Sequence, residues 1–208
     1  MQVQVQVFGI PQSNYVRAIR MVCEEKQVPY ELIPLMPGTE EAKALHPFGK
    51  IPAMQHGEVR LCESKAIATY LESLFPDPPL FPKDPRELAL LEQWVSLVNT
   101  VIDRTLIRQY GLGYYLAQLQ GRAVDRAAID AVLPAMREQI LLLDRSVAAS
   151  GFLVGRHFTY ADVSLLPMLS VVRSCPEGAE AFSQAHALTA YFDTHSQRPS
   201  FRATAVAP

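Results

Sequence analysis

His46-Pro47-Phe48-Gly49-Lys50-Ile51-Pro52-Ala53-Met54, followed by Gln55-His56-Gly57-Glu58-Val59-Arg60-Leu61-Cys62-Glu63-Ser64, is the stretch on which the fold turns. Its first part is too proline-rich for a central strand over its whole length, because each proline removes a ladder donor. Gly57 separates it from Val59–Cys62, so the two short segments are expected to pair as an antiparallel hairpin. Beyond Glu63-Ser64, the residues Ile67, Tyr70, Leu71 and Leu74 recur at i, i+3, i+4 and i+7. That spacing predicts an amphipathic helix opened by Ser64 or the residue beside it.

Upstream, Gln2-Val3-Gln4-Val5-Gln6-Val7-Phe8 alternates with period two and reads as a strand with one face better buried than the other. Gly9 and Pro11 interrupt it, and Ser13 stands as a plausible N-cap before a helix-forming run from Asn14 to Lys26. Val28–Leu35 reads as a second strand flanked by prolines, and a crossover of this length implies a parallel pair. A polar stretch from Pro37 to Leu45 joins it to the hairpin. The order is therefore β-α-β, a connection, then β-β-α.

Downstream, the segment from Phe75 to Pro85 carries five of the sixteen prolines and reads as a linker. Asp84-Pro85-Arg86-Glu87 then supplies an N-cap, a proline at the first helical position and an acid at the third. Leu91, Val95, Val98 and Ile102, and again Met136, Ile140, Leu143 and Val147, fall at i, i+4, i+7 and i+11. Two long helices with such stripes imply a bundle. The expected fold class is α/β plus all-α: a βαβ-ββα domain over residues 1–76, a linker over 77–84 and an all-helical domain over 85–208.

The composition narrows the chemistry. Of 208 residues 49% are hydrophobic and 19% charged, enough apolar mass for a sizeable core without disulfides or a structural metal. Nineteen Lys and Arg against twenty-one Asp and Glu leave a net charge of -2 and no basic excess for phosphates, so nucleic acid is not an expected partner. No run of about 18 apolar residues suggests a membrane span, and MQVQVQVFGI does not read as a signal peptide. Cys23, Cys62 and Cys175 are odd in number and widely spaced, the pattern of a reducing, cytoplasmic compartment with neither a disulfide framework nor a metal site.

This order of elements resembles the cytosolic glutathione transferases over essentially the whole chain. Three motifs in sequence carry the resemblance: Phe48-Gly49-Lys50-Ile51-Pro52-Ala53, Glu63-Ser64-Lys65-Ala66-Ile67-Ala68-Thr69-Tyr70-Leu71, and Thr159-Tyr160-Ala161-Asp162. The resemblance implies a thioredoxin-like first domain, glutathione as co-substrate, a small-molecule electrophile as second substrate and a homodimer. It implies a cis Pro52, with the backbone of Ile51 pairing to the cysteinyl part of glutathione as an added strand. Glu63 and Ser64 open a helix whose N-terminus suits the γ-glutamyl carboxylate, and Glu63 is placed to accept from the ligand's amino group. Lys50 offers its charge to the glycyl carboxylate. Thr159 and Asp162 match the family's capping box, and their expected role is structural.

Family members divide by the hydroxyl that steadies the thiolate. Val7-Phe8 stands where some carry a tyrosine, whereas Pro11-Gln12-Ser13-Asn14 resembles the serine-type, phi- and theta-like pattern. The role therefore passes to Ser13, with Asn14 and Tyr15 as alternative donors and an ordinary N-cap as the bland reading. The sequence departs from phi-type members in having no His between Pro37 and Leu45, and His46 where Asn often precedes the Pro-x-Gly turn. His46 is read as a turn residue. Cys62, beside Glu63, is read as a small apolar strand residue. Tyr110, Tyr114 and Tyr115 are candidates for the acceptor pocket, although interhelical packing explains each tyrosine equally well. The leading reading is conjugation of glutathione to small hydrophobic electrophiles; a non-catalytic binding or regulatory module, and glutathione-dependent isomerisation or dehalogenation, are the alternatives.

Overall fold

The computed structural model describes residues 4–206 and divides into two compact units. One runs to Pro82 and takes back the chain from Gln197 onward; the other runs from Lys83 to Ser196.

In the first unit the alternating N-terminal segment becomes β1 (Val5–Gly9), its odd positions buried and its even ones half-buried. The expected strand residues 2 and 3 lie outside the described residues. Helix α1 (Asn14–Glu25) follows, then β2 (Tyr30–Pro34), parallel to β1 with Val5 opposite Tyr30 and Gly9 opposite Pro34. The polar connection contains a short helix, α2 (Glu40–Leu45), that its sequence did not announce. Thr39 caps it by accepting from the Ala42 N–H at 3.2 Å, and six residues are too few to display a helical period. Strands β3 (Ala53–His56) and β4 (Val59–Cys62) form the expected antiparallel hairpin around Gly57, which adopts φ +62°. Helix α3 (Ser64–Leu74) closes the unit, and the sheet order is β2-β1-β3-β4.

The face of α1 that buries Val16, Ile19, Val22 and Cys23 packs against β1 and α3. Lys26, just past the end of α1, donates to the carbonyls of Phe75 and Pro78 at 2.7 and 3.0 Å and pairs with Glu72 at 2.6 Å. Its ammonium is fully buried, so these partners compensate a desolvated charge and fix the start of the proline-rich segment.

The second unit is all helical. Asp84 caps α4 (Pro85–Leu97), with Oδ1 accepting from the Arg86 and Glu87 N–H groups at 3.0 Å, and Pro85 occupies the first turn as expected. The stripe Leu91, Val95, Val98 and Ile102 is buried, but the helix does not stay α: from Val98 to Gly111 it is a π segment, then α5 (Leu112–Leu119) follows. Helix α6 (Arg126–Val147) buries Met136, Ile140, Leu143 and Val147. Helix α7 (Tyr160–Arg173) is buried on every side from Tyr160 to Leu169, as the central helix of a bundle must be. Helices α8 (Pro176–Gln184) and α9 (His186–His195) complete the unit. The last helix, α10 (Pro199–Ala203), packs on α1, so the end of the stretch read as an all-helical domain over 85–208 belongs by contact to the first unit.

Asp162 is fully buried at the start of α7. Its Oδ2 accepts from the Thr159 N–H and hydroxyl at 2.9 and 3.0 Å, and its Oδ1 from the Leu153 N–H and Tyr191 hydroxyl, both at 3.0 Å. Burial pushes the carboxyl pKa up, against these four donors, which favour the charged form. Removing the carboxylate strands two buried N–H groups at about 1–3 kcal/mol each. Asp162→Ala is therefore expected to cost about 3 kcal/mol, which at 2–4 °C per kcal/mol lowers the melting temperature by roughly 6–12 °C. Glutathione affinity of the folded fraction should not change; an unchanged melting temperature with reduced turnover would move Asp162 into the reacting site.

Candidate active site

The register of the sheet gathers the motifs at one end. Phe8 lies opposite Ala53, and Ala53 opposite Cys62, so the loop after β1, the loop before β3 and the start of α3 emerge side by side. Gly9 makes the approach possible. Its φ is +156°, and a Cβ there would lie 2.3 Å from Val16 Cγ2 and 3.4 Å from Ile51 Cβ. Ser13, Ile51, Pro52, Glu63 and Ser64 thus lie at one end of the sheet.

Ser13 is the N-cap of α1, in extended backbone, with its Oγ accepting from the Val16 N–H at 3.4 Å. Its hydroxyl proton has no acceptor among the described residues. Asn14 and Tyr15 form the first turn and are half-buried.

The Ile51–Pro52 peptide is cis, as the resemblance implies. The last rung between β1 and β3 is at Ala53, and the half-buried Ile51 makes no backbone hydrogen bond among the described residues. The loop in front of it is held by turns: Gly49 N–H donates to the His46 carbonyl, and Gly38 N–H to the Gly49 carbonyl, each at 2.8 Å. Lys50 is exposed, its Nζ 6.0 Å from the Phe48 ring centroid, with no carboxylate partner among the described residues.

Glu63 is the N-cap of α3 by position only, since its side chain makes no capping bond. Its φ of +71° is in the left-handed region, a costly conformation for a non-glycine residue and one that collects at ligand clamps. The backbone N–H groups of Ser64, Lys65 and Ala66 have no helical acceptor and carry the positive end of the α3 dipole. Ser64 is buried, and its hydroxyl has no partner among the described residues.

His46 is more than the turn residue the sequence suggested. It is buried, its Nδ1 accepts from the Phe48 N–H at 3.0 Å, and its Nε2 lies 3.3 Å from Glu63 Oε1. With Nδ1 accepting, the proton of the neutral ring sits on Nε2, which donates to Glu63. One imidazole therefore ties the Ile51 loop to the Glu63 carboxylate. No sequence signal marked this pair, because its members are separated by the whole hairpin.

The three cysteines are free. Cys23 is buried and its thiol pKa is pushed up to about 12, mainly by burial; burial also pushes Cys175 up, and Cys62 is half-buried on β4. Cys23 and Cys175 are thus shifted away from the depressed pKa of a reactive thiol. In the helical unit Tyr110 is fully buried, its hydroxyl accepting from the Gly178 N–H at 2.8 Å and donating to Glu177 at 3.1 Å. The Tyr114 hydroxyl donates to Glu177 at 2.5 Å and accepts from Arg126 at 3.1 Å. Burial opposes ionisation of Glu177, but donation from Tyr114, Arg126 and Tyr110 outweighs it and holds the carboxyl at about 2. Tyr115 is 38% exposed and, with Tyr114, Gln118, Arg122 and Cys175, lines a cavity of about 410 Å³; Tyr110 does not line it.

A mixed sheet of this order with a cis proline before its hairpin, followed by a helical unit, defines the class of thioredoxin-like proteins that carry an all-helical second domain. Comparison with known proteins narrows this. Residues 7–79 match the glutathione S-transferase N-terminal domain and residues 82–199 the glutathione S-transferase C-terminal domain. The chain belongs to the glutathione S-transferase family. Glutathione S-transferase 3 of Zea mays is 28% identical over 220 residues, covering 98% of this chain and 94% of the maize protein. The crystal structure of glutathione transferase F7 from Populus trichocarpa superposes with a TM-score of 0.87 at 21% identity, covering 96% of this chain and 97% of the poplar one. The theta class glutathione S-transferase from the citrus canker pathogen Xanthomonas axonopodis pv. citri, solved with glutathione bound, is 25% identical with a TM-score of 0.83, covering 99% of both chains.

Loss of the charged hydrogen bond from His46 frees the Glu63 carboxylate and unties the Ile51 loop. His46→Ala is expected to weaken retention on immobilised glutathione about tenfold, equivalent to about 1.4 kcal/mol. The pKa of the bound thiol should stay where it is; wild-type affinity in this variant would show that the pair does not organise the site.

Proposed function

We propose that this member of the family joins the glutathione thiolate to small hydrophobic electrophiles, with the Ser13 hydroxyl donating to the sulfur. The observation that carries the reading is the position of that hydroxyl: at the N-terminus of α1, at the sheet end where Ile51, Glu63 and Ser64 emerge, with its proton uncommitted among the described residues. A free thiol has a pKa of roughly 8.5 and only the thiolate attacks, so a hydroxyl donor and a helix N-terminus enrich the reactive form near neutrality. Ser13 donates and forms no covalent bond itself.

Each end of the tripeptide has a chemically suited partner. The unpaired backbone of Ile51, set by Pro52, pairs with the cysteinyl segment as an added strand. Ser64 and the free N–H groups of α3 take the γ-glutamyl carboxylate, Glu63 accepts from its amino group, and Lys50 takes the glycyl carboxylate. The cavity beside Tyr114 and Tyr115 supports these two as acceptor-side residues, while the buried Tyr110 with its engaged hydroxyl supports a packing role for that residue. The reaction fits a role in detoxification, and the three free cysteines support a reducing, cytoplasmic setting; the low net charge speaks against nucleic acid, and among the described residues no helix is long and apolar enough to cross a membrane.

The native unit of this reading is a symmetric homodimer. Phe48, 79% exposed at the rim of the glutathione loop, supports it, since an aromatic side chain so placed gains most when a second chain covers it. Sedimentation at micromolar concentration should give twice the chain mass; a monomer would remove this part of the proposal.

Retention on immobilised glutathione, followed by conjugation to an activated aryl halide, tests the function, and failure to bind would favour a non-catalytic module. Conjugation failing with binding intact would favour isomerisation or dehalogenation. Ser13→Ala is expected to lower the conjugation rate by about a hundredfold or more with little loss of glutathione affinity, the scale of one preorganised donor. Without the hydroxyl the bound thiol pKa rises, so the rate deficit narrows as pH rises through it. A deficit constant from about pH 6 to 9 would pass the role to Asn14, Tyr15 or the helix N-terminus alone.

A further inference from the structure

Arg17 sits one turn into α1, and its N–H closes that turn on the Ser13 carbonyl at 2.9 Å. The residue is buried, with 7% of it exposed. A charge so buried is ordinarily paired. Here no carboxylate lies within ion-pair distance of it among the described residues. The cation rests 4.0 Å over the Phe201 ring centroid and donates from Nη2 to the Phe201 carbonyl at 3.1 Å, while Nε is buried without an acceptor. Burial, with Arg20 beside it, lowers its pKa to about 10, which still leaves it charged at neutral pH.

The partner segment is the end of the chain, returned to the first unit for this contact. Arg20 donates to the Thr204 and Ala203 carbonyls at 3.4 and 3.5 Å, and Arg198 forks onto Glu25 at 2.8 and 2.7 Å. Ser200 also donates to Glu25. The last turn of α10 thus offers its carbonyl ends to the arginines of α1, the favourable sense for a helix C-terminus.

We propose that Arg17, clamped by residues 198–204, is a positioning residue for the reaction: its uncompensated charge adds to the positive potential at the N-terminus of α1 and so favours thiolate at Ser13. Arg17 does not touch the sulfur; it acts through the helix end. The neighbouring charges do not cancel it. On α1, Glu25 is engaged by Arg198, Glu24 accepts from Tyr30 at 3.1 Å, Lys26 pairs with Glu72 of α3, and Arg20 adds charge of the same sign. Strand β1 carries no charged residue, α3 otherwise presents Lys65, and α10 presents Arg202. On the ligand side His46, Lys50 and Glu63 stay constant in every comparison below.

The inference rests on the thiol-activating role proposed for this site, and the test separates the two. Bound glutathione is titrated by thiolate absorbance, and conjugation is followed against pH, in the wild type, Arg17→Met, Arg17→Lys and Phe201→Leu, each with its melting temperature. Arg17→Met should raise the bound thiol pKa by about one unit, a tenfold rate loss on the acidic side that closes at high pH. Arg17→Lys should restore most of it, and Phe201→Leu should show a smaller rise. A folded Arg17→Met variant with the wild-type thiol pKa would overturn the proposal whatever its melting temperature. If that variant does not fold, an unshifted Phe201→Leu overturns it instead. A wild-type chain without bound thiolate would sink the thiol-activating role itself, and this inference with it.

Discussion

The close approach of α1 to the end of the sheet is the constraint on which the site depends. Gly9 ends β1 with no room for a side chain, since a Cβ would overlap Val16 on α1 and touch Ile51. The absence of one methyl lets three separate segments meet: the Ser13 turn, the cis-proline loop and, through the β3–β4 register, the start of α3. A parallel β1–β2 pair places α1 on a face of the sheet, and the antiparallel β3 brings its own beginning back beside the end of β1. The residues proposed to hold glutathione are thereby gathered at one end of the sheet.

Once the segments meet, electrostatics of one sign accumulates there. Two helix N-termini, those of α1 and α3, each end in backbone N–H groups without intrahelical acceptors. Lys50 is an exposed cation on the intervening loop, with no carboxylate partner among the described residues. Glu63 is the exception, and its carboxylate is held by His46 while its backbone adopts φ +71°. In the proposed binding mode a tripeptide with two carboxylates, one ammonium and a thiolate complements this distribution, with Glu63 meeting the ammonium.

How much of this was legible follows from the range of each signal. Alternation in β1, the Ser13 and Asp84 caps, and the stripes through Leu91 and Met136 are local, and each appears in the structure within a few residues of where it was read. Helix α2 escaped because six residues after a cap give no period. The π segment escaped because Val98 and Ile102 are buried in either helical geometry, so their spacing does not distinguish the two. The His46–Glu63 pair and the Arg17–Phe201 stack are long-range, one across a hairpin and the other across nearly the whole chain. Nothing in the local composition of α10 says that it leaves the helical unit for α1.

Ser13 illustrates how a structural residue and a chemical one share an atom. The sequence set capping and donation in competition for a single oxygen. A hydroxyl has two acceptor lone pairs and one proton, and the Val16 N–H uses only a lone pair, at a long 3.4 Å. Capping therefore leaves the proton available and restricts where it can point. By accepting from the Val16 N–H inside the helix, the oxygen keeps its proton and its second lone pair for partners outside it. In the proposed role capping and donation are therefore compatible: the Val16 N–H occupies a lone pair, and the proton remains for the sulfur.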